Sequence, residues 1–376
     1  MKKPCLPAGR KKILFIWHAA VVRSYQQYIA ELAEHHNLDI TLLIPQGSVE
    51  GSKYHKAYKP HTANYKVIVG YAHYPKDPLI SIYPALPYYL WKVKPDLIHM
   101  FEEPYHNLAA YLTFWKKIIC PKAKFIFQTF QNQIEDYRKS WVKIQNKTFA
   151  ASGAAIACAE EMKQVLLHWG YKKPIYVVYP GIETNLFAPK DDTGLRKTLE
   201  LDKFTIGFAG RMLEEKGIED IINAGKLLKF PYQLLFIGDG KDKAKFKKLT
   251  DKAVWIDAQP PGKMNKYYNC MDVLVLPSRT TKKWKEQFGR VIIEAMLCGV
   301  PVIGSSSGEI PRVIGDAGLI FKEQDSQELA ERITSLYESA PLRNELAERG
   351  LSYAKQFDWK YVADKVHKIY MSLLYE

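Results

Sequence analysis

The stretch from Glu286 to Gly304, E-Q-F-G-R-V-I-I-E-A-M-L-C-G-V-P-V-I-G, gathers the groups best suited to chemistry. Glu286 and Glu294 stand eight positions apart with Gly289 between them. An apolar run at helical spacing starts near Arg290, Gly299 can stop it, and Val300 to Ile303 reads as a short strand. In this reading Glu294 lies in the first turn of the helix and Glu286 on the loop before it. A rise of roughly 1.5 Å per residue limits the separation of the two carboxylates to ~12 Å, a span suited to the sugar and the ribose at opposite ends of a nucleotide-sugar. Backbone N–H groups around Phe288, Gly289 and Arg290 would face the diphosphate between them. Either acid taken alone reads as a solvated side chain.

A second group of polar residues follows the apolar run Phe204 to Ala209. There the chain reads G-R-M-L-E-E-K-G, and Arg211 and Lys216 fall at the carboxyl end of an expected parallel strand, where open α/β sheets bind ligands. Arginine chelates phosphate oxygens with a planar fork and lysine adds a point charge. Taken alone, the two cations read as surface partners of Glu214 or Glu215. Gly238 and Gly240, in the G-D-G after the strand Tyr232 to Ile237, allow backbone close to a nucleotide; a tight turn explains them equally well. Pro277 and Ser278 end another strand and line the same face by position, as do Gly308 and Glu309.

The spacing E-x7-E with F-G inside it, followed by E-A-M-x-C-G-V-P-V-I-G, resembles the signature of family 4 retaining glycosyltransferases of the GT-B fold. The resemblance implies that Arg211 and Lys216 clamp the donor diphosphate and stabilise the leaving group as its charge grows. It further implies that Glu294 accepts hydrogen bonds from the ribose, and Glu286 from hydroxyls of the transferred sugar. The first half departs from the common family pattern. Many relatives carry a glycine pair after the first strand, where this chain has W-H-A-A-V-V-R, Trp17 to Arg23; many also present a histidine where it has F-Q-T-F-Q-N, Phe127 to Asn132. His18, Gln131 and Asn132 are the acceptor-side candidates there, and His18 taken alone reads as an incidental histidine in a loop. F-E-E-P-Y-H, Phe101 to His106, resembles a subgroup in which E-E-P and Q-N occur together, so Glu102 and Glu103 could orient acceptor hydroxyls; they read equally well as exposed loop acids. No D-x-D triplet occurs, so fixed cations rather than a metal are expected to hold the diphosphate, with no cofactor.

Those groups need elements to position them, and the rest of the chain supplies a repeating pattern. Its 376 residues suffice for two domains, with 47% hydrophobic and 25% charged residues, as in ordinary globular proteins. Strand and helix signals alternate, the mark of parallel sheets with crossover helices. Between them Tyr179 to Pro189, Y-P-G-I-E-T-N-L-F-A-P, loses periodicity and reads as a linker. We therefore expect an α/β chain of the GT-B type, with two Rossmann-like domains whose parallel sheets face a central cleft. Residues 1–187 form the acceptor domain, 188–356 the nucleotide-sugar domain, and 357–376 a helix crossing back to the first.

Charge is distributed unevenly. Residues 1–190 hold 25 Lys and Arg against 13 Asp and Glu, a net of +12, whereas 191–376 hold 29 against 27, a net of +2. Such a field suits an anionic membrane or a phosphorylated substrate, and no nucleic-acid motif accompanies it. Cys5, Cys120, Cys158, Cys270 and Cys298 are odd in number and lack C-x-x-C pairs, which argues against a disulfide framework or zinc site and for a reducing cytoplasm. The apolar run Leu79 to Trp91 is too short to span a bilayer. The expected enzyme moves a sugar from a UDP- or GDP-sugar to a sugar or lipid-linked hydroxyl acceptor, in cell-surface polysaccharide or glycolipid synthesis, in the cytoplasm or at the inner membrane face. The rival readings are a nucleotide-sugar epimerase or sugar-phosphate-forming enzyme on the same fold, and a non-catalytic basic binding protein.

Overall fold

In the computed structural model of the chain, residues 9–50, 53–135 and 137–375 are described; Cys5 lies outside them. Contacts divide the chain into two compact units, one running to Gly181 and resuming at Trp359, the other Ile182–Asp358. The division falls ahead of residue 187 because Ile182 is bridged to Asp358 and donates its N–H to Phe357 O at 2.7 Å, which ties the start of the linker to the second unit.

The first unit is built on strands β1 (Lys11–Ile16) and β2 (Leu38–Pro45), a hairpin of β3 (Gly47–Glu50) and β4 (Lys53–Lys56), then β5 (Lys66–Gly70), β6 (Leu97–Met100), β7 (Lys124–Thr129), β8 (Ala154–Ala157) and β9 (Ile175–Val177). All but the hairpin form one parallel sheet in the order β5-β2-β1-β6-β7-β8-β9. The inner strands are continuous apolar runs because both faces are covered: Ile13, Leu14, Phe15 and Ile16 are fully buried, and so are Ala154 to Ala157. Helices α1 (Gln26–Ala33), α2 (Leu86–Val93), α3 (Asn107–Ile119), α4 (Lys139–Ala151) and α5 (Glu160–His168) connect them.

The second unit repeats the plan with β10 (Phe204–Ala209), β11 (Tyr232–Ile237), β12 (Ala253–Ile256), β13 (Val273–Leu276), β14 (Val302–Ser305) and β15 (Leu319–Phe321), parallel and ordered β12-β11-β10-β13-β14-β15. Its helices are α6 (Thr193–Thr198), α7 (Ile218–Leu227), α8 (Lys243–Lys247), α9 (Pro261–Tyr268), α10 (Arg290–Leu297), α11 (Ile310–Ile314), α12 (Ser326–Glu338) and α13 (Ala340–Ala354). Strand β14 starts two residues later than the sequence suggests. Val300 N–H bonds back to Ala295 O at 3.0 Å and so closes the end of α10, and Pro301 has no N–H to give a ladder.

The last helix, α14 (Trp359–Tyr375), belongs to the first unit and packs on α1. Its buried row Val362, Val366, Ile369, Tyr370 and Leu373 repeats at helical spacing. The Tyr370 hydroxyl meets Nδ1 of His99 on β6 at 2.6 Å, with both side chains buried. Burial pushes the His99 imidazole down to about 3, so it is neutral near pH 7. Cys120, Cys158, Cys270 and Cys298 are free thiols, each raised by burial, so none is an activated thiolate.

Candidate active site

In the second sheet β10 continues through β11 to β12 on one side and neighbours β13 on the other. Connections therefore leave β10 and β13 in opposite directions, and their carboxyl-end loops flank the crevice where open α/β sheets hold ligands. The loop after β10 carries Arg211 and Lys216, and the loop after β13 carries Pro277, Ser278 and Glu286. Lys216 Nζ donates to Glu286 Oε2 at 2.6 Å, and Ser278 Oγ donates to the same oxygen at 2.9 Å. The side chains of Lys216 and Glu286 are 11% and 12% exposed, so water screens the pair little. Lys216 also lies 4.4 Å from the centroid of the Trp284 ring. It is thus paired across the crevice rather than with Glu214 or Glu215.

Gly217 explains how the two loops come so close. Its φ is +67°, and a Cβ there would lie 1.9 Å from Pro277 O. Arg279 locks the approach: Nε and Nη2 bind the buried Asp220 carboxylate at 2.8 and 2.6 Å, while the Arg279 N–H donates to Glu215 O at 2.8 Å. Neither Arg279 nor Asp220 stands out in the sequence, where 59 positions separate them.

Glu294 is the fifth residue of α10 and so opens its second turn rather than lying in the first, at about 3.6 residues per turn. It is buried. Oε1 accepts from Arg290 Nε at 2.7 Å, and Oε2 from the Tyr268 hydroxyl at 2.6 Å. Burial and then the adjacent Glu294 charge raise the Tyr268 phenol well above its ordinary value, so it stays a donor. A cavity of about 350 Å³ is lined by Arg211, Gly238, Gln259, Tyr268, Arg290 and Glu294, among others. Gly238 therefore borders it, whereas Gly240 packs on backbone: a Cβ at Gly240 would meet Met212 O at 2.2 Å. Gly289, with φ +74°, caps α10 before Arg290, and the neighbouring Phe288 ring turns inward, 5.7 Å from Phe357.

The first sheet has the same topology, its connections diverging from β1 and β6. Again one hydrogen-bonded pair joins the two loops. His18, after β1, donates its backbone N–H to Glu102 Oε1 at 2.7 Å and places Nδ1 2.5 Å from Oε2. His106 Nδ1 stands 3.5 Å from that same oxygen. Burial opposes the charge on Glu102, but His18 and His106 together hold its carboxyl well below the usual range. Glu103 accepts from the Thr129 hydroxyl and, at 2.8 Å, from Phe130 N–H; burial raises its carboxyl despite those bonds. Both acids are therefore engaged with the protein itself. They orient His18 and the turn after β7, instead of presenting carboxylates outward as the sequence suggests. In that turn Gln131 Nε2 donates to Tyr137 Oη at 2.6 Å, and Asn132 is buried.

Among the described residues, no group of three or more His, Cys, Asp and Glu side chains is arranged to hold a metal ion. The second unit offers Lys216 hydrogen-bonded to Glu286 between two loops, and a cavity bordered by Arg211, Arg290 and Glu294. Such a set suits a phosphate-bearing ligand with hydroxyls on either side.

Residues 192–352 match the family model described as glycosyl transferases group 1. A D-inositol 3-phosphate glycosyltransferase of Stackebrandtia nassauensis is 25% identical over 244 residues, 58% of this chain and 54% of its own. The chain spans about half the length of the curated relatives it matches. Among solved structures, the sucrose-phosphate synthase of Thermosynechococcus elongatus superposes with TM-score 0.73 at 18% identity, over 97% of this chain and 99% of that one. HepE of Anabaena in complex with UDP superposes with TM-score 0.74 at 18% identity, over 96% and 100%. Residues 192–352, most of the second unit, thus match a glycosyl transferases group 1 domain, and the chain has the GT-B fold.

Proposed function

We propose that the chain is a retaining glycosyltransferase that moves a sugar from a nucleoside-diphosphate sugar to a hydroxyl acceptor. The observation that carries the reading is the second unit's crevice. There Lys216 and Glu286 meet across two loops, and Arg211, Arg290 and Glu294 border one cavity. Arg211 and Lys216 hold the diphosphate, Glu294 accepts from the ribose, and Glu286 accepts from hydroxyls of the transferred sugar. HepE, of the same fold, has been crystallised with UDP, which supports a uridine nucleotide as the first donor to test.

In the transfer, the bond from the anomeric carbon to the phosphate oxygen breaks as the acceptor oxygen bonds to the same face of that carbon. The acceptor proton passes to the departing phosphate, and nucleoside diphosphate leaves. Charge grows on that phosphate, so the cations around it stabilise the transition state more than the ground state. They fill the place a metal takes in other transferases. The first unit orients the acceptor through His18, held by Glu102, and through Gln131 and Asn132. Its net charge of +12 for residues 1–190 suits a lipid-linked acceptor at an anionic membrane surface.

A thermal-shift screen against UDP, GDP, ADP and their sugars tests the reading, since a ligand of the native state raises the midpoint with its affinity. We expect one nucleotide class to shift the midpoint, and free diphosphate to accumulate only when an acceptor is added. Diphosphate released from a donor without any acceptor would favour an epimerase-like or phosphate-forming reaction.

A further inference from the structure

The layer formed by α2, α3 and α4 differs from the other helices of the first unit. The three pack side by side, α2 on α3 and α3 on α4. They contain Lys92, Lys116, Lys117, Lys139, Lys143 and Lys147, and no Asp or Glu. Helices α1, α5 and α14 of the same unit each hold at least one acid, Glu31, Glu160 and Asp364 among them. The layer thus contributes six of the twelve net positive charges of residues 1–190.

Large apolar side chains stand out from these same helices. Trp91 is 61% exposed, Phe114 59%, Ile118 57% and Tyr88 52%. Phe114 and Ile118, four apart on α3, lie one above the other; Tyr88 and Trp91, three apart on α2, bring their rings to 6.2 Å. Lys92 lies 5.6 Å from the centroid of the Tyr88 ring. On α4, Lys139, Lys143 and Lys147 recur every four residues beside the exposed Val142.

We propose that this layer is a docking face for an anionic lipid bilayer. The rings and Ile118 enter the headgroup region and the lysines meet lipid phosphates, an arrangement in which apolar burial and charge attraction add. No described helix is long and apolar enough to cross a membrane, so the contact is with the surface. The aliphatic Ile118 and Val142 favour lipid over RNA, which takes stacking rings with arginine forks, and these helices contain no arginine. The inference rests on the membrane-side reading of the first unit and not on the transfer chemistry.

Co-sedimentation of the full chain with vesicles tests it, using phosphatidylcholine alone and phosphatidylcholine with about a third phosphatidylglycerol. Pelleting is expected with the anionic vesicles only, falling as salt rises. K139E/K143E/K147E should weaken partitioning by more than ~100-fold, at roughly fivefold for each lysine near the surface. W91A/F114A should weaken it with charge unchanged, and K241E/K247E/K248E in the second unit should not. Equal pelleting with neutral lipid would overturn the proposal, as would an undiminished K139E/K143E/K147E variant or an equal loss in the second-unit control. So would RNA binding that these variants abolish while vesicles are ignored. Thermal midpoints check folding, and the lysine-to-glutamine triple replaces the charge reversal if that lowers the midpoint. Turnover with a soluble acceptor is read separately: a chain that docks but transfers nothing refutes the transferase reading and leaves the docking face standing.

Discussion

Replacing Lys216 by alanine is the sharpest test of the second unit's crevice. The ammonium is 11% exposed and sits 2.6 Å from Glu286 Oε2, so its removal takes away a charge-assisted bond worth about 1.5–3 kcal/mol in the folded chain. Ser278 still donates to that oxygen at 2.9 Å, which keeps Glu286 in place and lets the variant fold. Glu286→Ala instead leaves Lys216 with the Trp284 face at 4.4 Å, a contact worth about 0.5–2 kcal/mol, so its fold is also retained at some cost in stability. Turnover should suffer more than stability in both. A cation that stabilises the leaving diphosphate contributes about 2.7–4 kcal/mol to the transition state, so Lys216→Ala and Glu286→Ala should each lose more than ~100-fold in kcat. Because the two side chains hold one another, the double variant should lose much less than the product of the single losses. The assay follows acceptor-dependent release of nucleoside diphosphate, with thermal midpoints measured in parallel. Wild-type turnover in either single variant, or single losses that simply multiply, would refute the assignment of a working pair.

Tyr268→Phe removes the hydroxyl that fixes Glu294 Oε2 and should weaken nucleoside diphosphate binding by about 10- to 150-fold, one hydrogen bond to a buried charge, measured by calorimetry. An unchanged Kd would detach Glu294 from the ribose. His99 gives the pH dependence. Its folded value of about 3 lies below its ordinary 6.5, so the unfolded chain binds the extra proton. The stability it contributes is complete above 6.5 and is lost as pH falls from 6.5 towards 3, with an upper limit of about 5 kcal/mol at about 1.4 kcal/mol per tenfold. Thermal midpoints should fall over that window, and less so in His99→Asn; equal slopes would place the titration elsewhere. If fixed cations hold the diphosphate, turnover after exhaustive treatment with a chelator should equal that before it, and restoration of lost activity by a divalent ion would contradict this.

Much of the fold was legible because parallel strands buried on both faces are almost wholly apolar. Ala154–Ala157 is apolar throughout, and Phe204–Ala209 and Tyr232–Ile237 are broken only by the buried Thr205 and Gln233. The groups around E-x7-E were legible for another reason: a helix, its capping glycine and the loop before it are neighbours in sequence. What the chain order hides is which loops meet. His18 and Glu102 are 84 positions apart, Lys216 and Glu286 70, and Tyr268 and Glu294 26, so no local pattern links any of them. Hence His18 reads as a lone histidine in a loop, and Glu102 as an exposed acid, until the strand order sets them side by side.

The strand order also explains why both units place a pair at the same point. In each sheet the first strand of the unit lies beside a strand reached only after the chain has built the opposite flank, β1 beside β6 and β10 beside β13. The connections leave there in opposite directions, which opens a crevice at the carboxyl ends of the strands. A lone buried charge in that position would be costly, so a carboxylate from one loop must find a cation or a donor on the other. The pairing is thus a consequence of topology, and the chemistry lies in which side chain meets the carboxylate. In the second unit it is Lys216, a fixed positive charge suited to a diphosphate. In the first it is His18, an imidazole in the loop after β1 held at Nδ1 by Glu102. If that division holds, His18→Lys should preserve the link to Glu102 and the thermal midpoint, yet lower kcat/KM for the acceptor by at least tenfold. Turnover equal to that of the unaltered chain would reduce His18 to a structural partner of Glu102.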